Sequence, residues 1–210
     1  MALEREMVGG LSVSRETMAL LRSFEAEVCR WNPVVNLVSR ASLGDLWDRH
    51  IVDSARVFLA APSDARLWLD LGSGGGFPGL VIAILAHELQ PALRVVLVES
   101  DQRKAVFLRQ TAQKLGLDVT VLSKRIESLP PQNADVLSAR ALAPLSVLLD
   151  LAVPHLAPGG IALFPKGMRH AEEISEAESS WRLEMDVLPS ASTPDAVLLI
   201  IRKAERAQLS

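Results

Sequence analysis

The segment Leu67-Trp-Leu-Asp-Leu-Gly-Ser-Gly-Gly-Gly-Phe-Pro-Gly79 constrains what this chain can fold into more than any other stretch. Leu67 to Leu71 is apolar and alternating enough for a buried strand. The glycines that follow permit a tight turn and let the backbone approach a ligand closely. Pro78 suits the first turn of a helix, which the pattern extends over about 78–88. Strand, glycine turn and helix together are how α/β proteins hold a nucleoside-like group. Asp70, two residues before the first glycine, narrows the choice. Dinucleotides and nucleoside triphosphates bring phosphates to such a turn, and a carboxylate at the strand end repels them. A cationic nucleoside suits it.

With 210 residues, 49% of them hydrophobic, the chain is long enough for one substantial α/β domain and a small appendage. No uninterrupted apolar run of about 18 residues occurs, so no membrane span is expected. Met1-Ala-Leu-Glu-Arg-Glu6 does not read as a signal peptide. Cys29 is the only cysteine, which excludes a disulfide within the chain and cysteine-based zinc sites; no metal is expected, and a reducing cytoplasm is the natural setting. A net charge of -3 argues against a general nucleic-acid binder but leaves room for a local basic face.

Residues 1–64 read as a helical extension. Ser14 is the expected N-cap of a helix running to about Cys29, with Thr17, Leu21, Phe24, Val28 and Trp31 on one face and Asn32-Pro33 closing it. A second helix is expected over about 43–59, with Leu46, Trp47, Ile51 and Phe58 inward. Ala61-Pro-Ser-Asp64 then leads into residues 65–210, where the alternation is regular. Strands at 94–99, 118–122, 134–139 and 161–164 are separated by helices near 101–115 and 144–155, the latter broken by Pro158-Gly-Gly160. A charged helix (about 168–179) precedes two last strands near 183–188 and 196–202. The pattern specifies a mostly parallel sheet covered on both faces, with ligands at the carboxyl ends of its strands.

Several features fall at those ends. Gly74-x-Gly76-x-x-Gly79 also fits the dinucleotide pattern, which alone is a weak signal. Glu99 ends the second strand, where a carboxylate can accept both hydroxyl hydrogens of a ribose; it reads equally as a solvated strand-end acid. Glu127 can accept an adenine amino group while Ile126 packs on the ring, or it is a simple turn acid. Arg140 ends the fourth strand beside the reacting end of a cofactor, or forks onto a neighbouring carboxylate such as Asp70 or Glu99. Asp70, Gly72, Gly74 and Glu99 point to S-adenosylmethionine, which carries a sulfonium and an ammonium and no phosphate. An NAD(P)-dependent oxidoreductase is the competing reading.

The chain resembles the bacterial small-subunit ribosomal RNA methyltransferase G family. The resemblance rests on Trp31-Asn-Pro-Val-Val-Asn-Leu-Val-Ser39, Arg49-His-Ile-Val-Asp-Ser54, the glycine turn Asp70–Gly79, Glu99-Ser-Asp-Gln-Arg-Lys-Ala-Val-Phe-Leu-Arg-Gln110, Ser138-Ala-Arg-Ala141 and Pro165-Lys-Gly167. These fall in the family's order over about residues 18–203. The resemblance implies a class I, Rossmann-like methyltransferase fold with a seven-stranded sheet and an N-terminal helical extension. It implies S-adenosylmethionine as donor and methylation of guanine N7 in the decoding region of 16S rRNA. It places cofactor contacts on Gly72, Phe77, Ile126, Glu127 and Arg140, with Glu99 as the ribose acid. Two positions depart from the family: Gly75, expected to loosen the turn, and Phe77, where an aliphatic residue is common.

Guanine N7 carries no hydrogen, so no general acid or base is nominated. Arg140 and Lys166 read as groups that orient guanine or its phosphate. Arg125, Lys166 and Arg169 follow strand ends and suit RNA steering, whereas Arg103, Lys104, Arg109 and Lys114 read as a solvated helix face. His50 and Asp53 share a helix face; they either close over the cofactor or guanine, or form a hydrogen-bonded pair that docks the extension. Trp31 and Trp47 are expected in the extension's core, and Asn32 and Asn36 at the entrance or at a helix end. The partner is the small ribosomal subunit or its RNA, with no membrane and no protein partner, and the chain is expected to act as a monomer. A methyltransferase acting on a small molecule or a protein is the alternative.

Overall fold

Side chains alternate across the central strands of the sheet: Trp68 and Val136 face one hydrophobic cluster, Leu69, Leu71 and Leu137 the other. This period of two, apolar on both sides, dictates a sheet covered by helices on each face. The computed structural model describes residues 5–190, 193 and 195–207. Its elements run β1 (Arg5–Val8), β2 (Leu11–Ser14), α1 (Arg15–Val35), α2 (Asp53–Leu59), β3 (Leu67–Leu71), α3 (Gly79–Leu89), β4 (Arg94–Val98), α4 (Gln102–Lys114), β5 (Val119–Leu122), β6 (Ala134–Ala139), α5 (Leu145–Ala152), β7 (Leu156–Lys166), α6 (His170–Glu178), β8 (Trp181–Pro189) and β9 (Val197–Arg206).

The seven-stranded sheet has the order β5-β4-β3-β6-β7-β9-β8. Strands β3 to β7 are parallel, and β9 runs antiparallel to both β7 and β8. Chain order reverses between β3 and β6, so a crevice opens at their carboxyl ends. The cluster on the α3 side takes in Val13, Leu21, Phe24, Ile51 and Phe58 of the extension together with Trp68, Leu80 and Leu97. Glu27, 4% exposed, is paired with Arg30 and with Lys114 Nζ at 2.5 Å, tying α1 to α4.

Ser14 caps α1 as expected, its Oγ accepting from Thr17 N. The helix does not stop at Asn32-Pro33: it carries Pro33 and ends at Asn36, in the left-handed region. Asn32 terminates it from inside, its Oδ1 accepting from Leu37 N at 2.7 Å and Val38 N at 2.8 Å. The expected helix 43–59 is also corrected. It is a 3-10 turn (Arg40–Ser42), a π-helical turn (Trp47–Val52) and α2. Pro158-Gly-Gly160 lies within β7 rather than breaking the chain before it. The glycine there lets β7 approach β6, since a Cβ on Gly160 would stand 2.6 Å from Ala134 O. The hairpin β1–β2, turning at Gly9-Gly10 with φ of 57° and 93°, was not expected. Among the described residues no helix is long and apolar enough to cross a membrane.

Candidate active site

Two cavities open at the carboxyl ends of the parallel strands. The smaller, about 380 Å³, is walled by Gly72, Gly74, Glu99, Lys104, Lys124, Arg125, Ile126 and Glu127. The larger, about 900 Å³, lies between the β1–β2 turn, the π-helical turn and the β8–β9 tip, and includes Arg49, Asp53, Arg140 and Lys166. They share one wall, Ala141-Leu142-Ala143.

Glu99 is 8% exposed. Its Oε2 accepts from Gly74 N at 2.9 Å and its Oε1 from Asp101 N at 2.7 Å, which fixes the glycine turn against the end of β4. Each oxygen keeps a lone pair for a hydroxyl donor. Ile126 is buried and Glu127 exposed on the 3-10 turn after β5 (Ile126–Ser128), which brings the two expected nucleoside contacts into the same cavity. Gly72, at φ 65°, has Leu142 against it: a Cβ there would stand 2.7 Å from Leu142 Cδ1. The cavity thus offers two carboxylates, a glycine turn and an apolar floor, which fit a nucleoside, while Lys104, Lys124 and Arg125 on the same wall carry positive charge.

Asp70 takes a different place from the one expected. It is 0% exposed and does not reach the cavity. Strand alternation turns it under α3, where its Oδ1 accepts from Ser138 Oγ at 2.6 Å and that hydroxyl accepts from Trp68 Nε1 at 2.9 Å. Its Oδ2 lies beside Gly79 without a hydrogen bond of good geometry. A Cβ at Gly79 would stand 2.6 Å from that oxygen, so the start of α3 sits on Asp70 only because residue 79 is glycine. Burial, partly offset by the Ser138 hydroxyl, raises the Asp70 pKa from 3.8 to about 6. Its direct role is therefore to hold the turn, and a charge on it acts on the cavity from beneath.

Phe77 is also behind the turn rather than on the cavity wall. It is 7% exposed, with its ring 5.1 Å from Phe24 and 4.9 Å from His50. Gly75 is not slack: Leu37 O would stand 3.1 Å from a Cβ there, so the extension packs directly on the turn.

In the larger cavity Arg140 donates from Nη2 to Arg49 O at 2.8 Å. It forks onto neither Asp70 nor Glu99; the nearby acid is Asp53, and burial outweighs that carboxylate in lowering the arginine's pKa. His50 and Asp53 do not form the expected pair. Neither ring nitrogen of His50 has a hydrogen-bond partner, while Asp53 Oδ1 accepts from Ser190 Oγ at 3.3 Å. The π-helical turn changes the side-chain spacing that an α-helix would have given. Burial, then the charges of Arg140 and Arg49, push the His50 imidazole down to about 3, so it is neutral at physiological pH. Trp47 is half-buried under the Arg22 guanidinium, 3.3 Å from its ring centre, and Trp31 packs edge-on to Phe107.

The shared wall is clamped from the far side by a contact that sequence reasoning missed. Lys166 Nζ, its side chain 8% exposed, donates to Ala143 O at 2.9 Å and to Glu173 Oε2 at 2.7 Å. The same Glu173 oxygen accepts from Leu145 N at 2.9 Å. Within this wall Ala141 has φ 50°, a left-handed conformation costly for a residue with a Cβ. No local spacing signals Glu173, because α6 and the end of β7 meet only in the folded chain. Arg125 is exposed at the smaller cavity, and Arg169 is exposed and paired with Glu172 at 2.9 Å.

Known proteins resemble this chain over most of its length. The family model described as rRNA small subunit methyltransferase G matches residues 17–195. A Cereibacter sphaeroides protein named ribosomal RNA small subunit methyltransferase G is 54% identical over 200 residues, covering 95% of this chain and 97% of that protein. A protein of the same name from a Ruegeria species is 54% identical over 93% of this chain and 95% of its own length. Among solved structures, the O-methyltransferase from Bacillus cereus in complex with SAH has a TM-score of 0.58 at 17% identity, covering 86% of this chain and 91% of that one. At that identity the likeness shows the class I methyltransferase fold.

Proposed function

The chain belongs to the rRNA small subunit methyltransferase G family, and from that premise we propose that it methylates N7 of a guanine in the decoding region of 16S rRNA. It is an S-adenosylmethionine-dependent rRNA methyltransferase. The observation that carries this reading is the shared wall: a nucleoside cavity holding Glu99, Ile126 and Glu127 and a larger cavity holding Arg49, Arg140 and Lys166 meet at Ala141-Leu142-Ala143.

The cofactor, when bound, supplies an electrophilic methyl group on sulfur. Glu99 accepts ribose hydroxyls, while Ile126 and Glu127 hold the adenine. The larger cavity receives one unstacked guanine, because a guanine inside a helix keeps its edges covered. Leu59 and Leu188, 55% and 44% exposed, give it apolar faces, and Arg140 faces the purine's acceptor edge. Guanine N7 has a lone pair and no proton, so no residue need act as a general base. The chain's contribution is alignment: effective-molarity gains of roughly 7–11 kcal/mol are available from holding two reactants in line. His50, expected to touch guanine or the cofactor, lines neither cavity: its ring packs on Phe77 and both nitrogens are buried. The proposed setting is a monomer working on the small ribosomal subunit in the cytoplasm.

The test is transfer of labelled methyl from S-adenosylmethionine to 30S subunits or 16S rRNA lacking the modification, followed by mass mapping. One 7-methylguanine in the decoding region is expected. Methylation of a small molecule or a protein while both RNA forms stay inert would overturn the reading.

A further inference from the structure

Two cations of the larger cavity, Arg140 and Lys166, are engaged with Arg49 O, Ala143 O and Glu173, while Arg49 and Arg56 on its wall make no ion pair with any described residue. Lys104, Lys124 and Arg125 in the smaller one make no ion pair and no side-chain hydrogen bond with any described residue. Lys124 and Arg125 are exposed and Lys104 half-buried. Lys104, on the helix face read as solvated, also lines this cavity.

Those three bases are unsuited to the ligand whose cavity they line. S-adenosylmethionine carries a sulfonium, an ammonium and one carboxylate, so it is a net cation and is repelled by uncompensated lysine and arginine. Glu99 and Glu127 offset only part of that charge. Three unpaired cations at the mouth of a cation's site need a separate anion. RNA supplies one, because a nucleotide seated in the adjacent cavity brings its neighbours' phosphates past the shared wall.

We propose that Lys104, Lys124 and Arg125 form a phosphate-binding rim over the mouth of the cofactor cavity, so that bound RNA lies across that mouth and retains the cofactor. This rests on the RNA methyltransferase reading above. Under it the cofactor enters before the RNA, and S-adenosylhomocysteine leaves after it. Phosphate binding on the rim also neutralises the bases, so RNA and cofactor support each other's binding.

The experiment uses the full chain, the double variant Lys124→Gln/Arg125→Gln, and a charge-matched control, Arg66→Gln/Arg94→Gln, at the amino ends of β3 and β4. The rim variant is expected to raise the KM for undermethylated 30S subunits roughly tenfold and to lower the slope of log affinity against log salt by roughly 2. Its Kd for S-adenosylhomocysteine by calorimetry should stay within about twofold of the unmodified chain, as expected when the two lost cations made only phosphate contacts. Stopped-flow release of S-adenosylhomocysteine should slow when 30S subunits are added to the unmodified chain, and much less with the rim variant. An unchanged salt slope, an equal effect in the control, or no slowing of release overturns the rim. So does a cofactor Kd that weakens more than the RNA KM. Failure of the unmodified chain to methylate any RNA contradicts the underlying reading instead, so the two failures are distinguishable.

Discussion

The two cavities differ in how they are assembled. The smaller one is made by short segments at the ends of β3, β4, β5 and β6, with Lys104 of α4 and Leu151 of α5, and its glycine turn packs on Glu99. The larger one is made by a hairpin, a π-helical turn, the wall after β6, the end of β7 and the β8–β9 tip, drawn from residues nearly 190 positions apart. Short segments at strand ends, brought to one edge by the parallel topology, build most of the first. Long-range docking builds the second, and the shared wall is where one must be positioned by the other. The catalytic alignment therefore depends most on contacts that cross between them.

Arg140→Ala should separate the regions most sharply. It removes the contact from the end of β6 to the π-helical turn, and kcat/KM for methyl transfer should fall about 100-fold, the scale expected for a displaced reactant. Cofactor affinity by calorimetry and the melting temperature should change little; intact transfer would break the assignment of the larger cavity to the acceptor. Glu99→Ala acts on the other side. It strands Gly74 N and Asp101 N and removes the ribose acceptor, so the cofactor Kd should weaken roughly 30-fold, in the range for charged hydrogen bonds. An RNA affinity that falls in parallel would show the cavities to be less separable than described.

Lys166→Met tests the clamp on the shared wall. Glu173 loses its cation but keeps Leu145 N, Ala143 O loses its donor, and kcat/KM should drop roughly tenfold with little change in cofactor Kd. Equal loss in both would mean that the clamp supports the sheet rather than the wall. The smallest effect is a pH slope. Folding raises the Asp70 pKa from 3.8 to about 6, so between those values the folded chain keeps a proton that the unfolded chain has lost. Stability contributed by this group is full below pH 4 and declines as pH rises to about 6, by at most about 1.4 kcal/mol per pH unit. Asp70→Asn should flatten that decline in urea melts; an unchanged slope would place its origin elsewhere.

The same contrast decides what could be read from the sequence. Strand β6 has the bounds expected of it, because Ala134–Ala139 is buried and flanked by turn residues. Asp101 caps α4, accepting from Arg103 N and Lys104 N, a signal local to four residues. Gly72, Gly74, Glu99, Ile126 and Glu127 meet because parallel strands end at one edge, a rule of topology rather than of detail. The failures are of another kind. Asp70 and Phe77 belong to the turn but face its underside, which depends on the pleat and on the packing of α3 and α1. The separation of His50 from Asp53 follows from a π-helical turn that α-helical spacing does not anticipate. Glu173 was invisible because its partner Lys166 lies on another element. The β1–β2 hairpin did carry a signal, Gly9-Gly10 between alternating residues, and its buried Val8 and Val13 confirm the pattern.

A crystal structure with S-adenosylhomocysteine bound tests the division of labour most directly. The account predicts the adenosine between Glu99 and Ile126–Glu127, the sulfur directed toward Ala141-Leu142-Ala143, and the cavity beside Arg140 left open. Adenosine found instead among Arg49, Arg140 and Leu198 would contradict it.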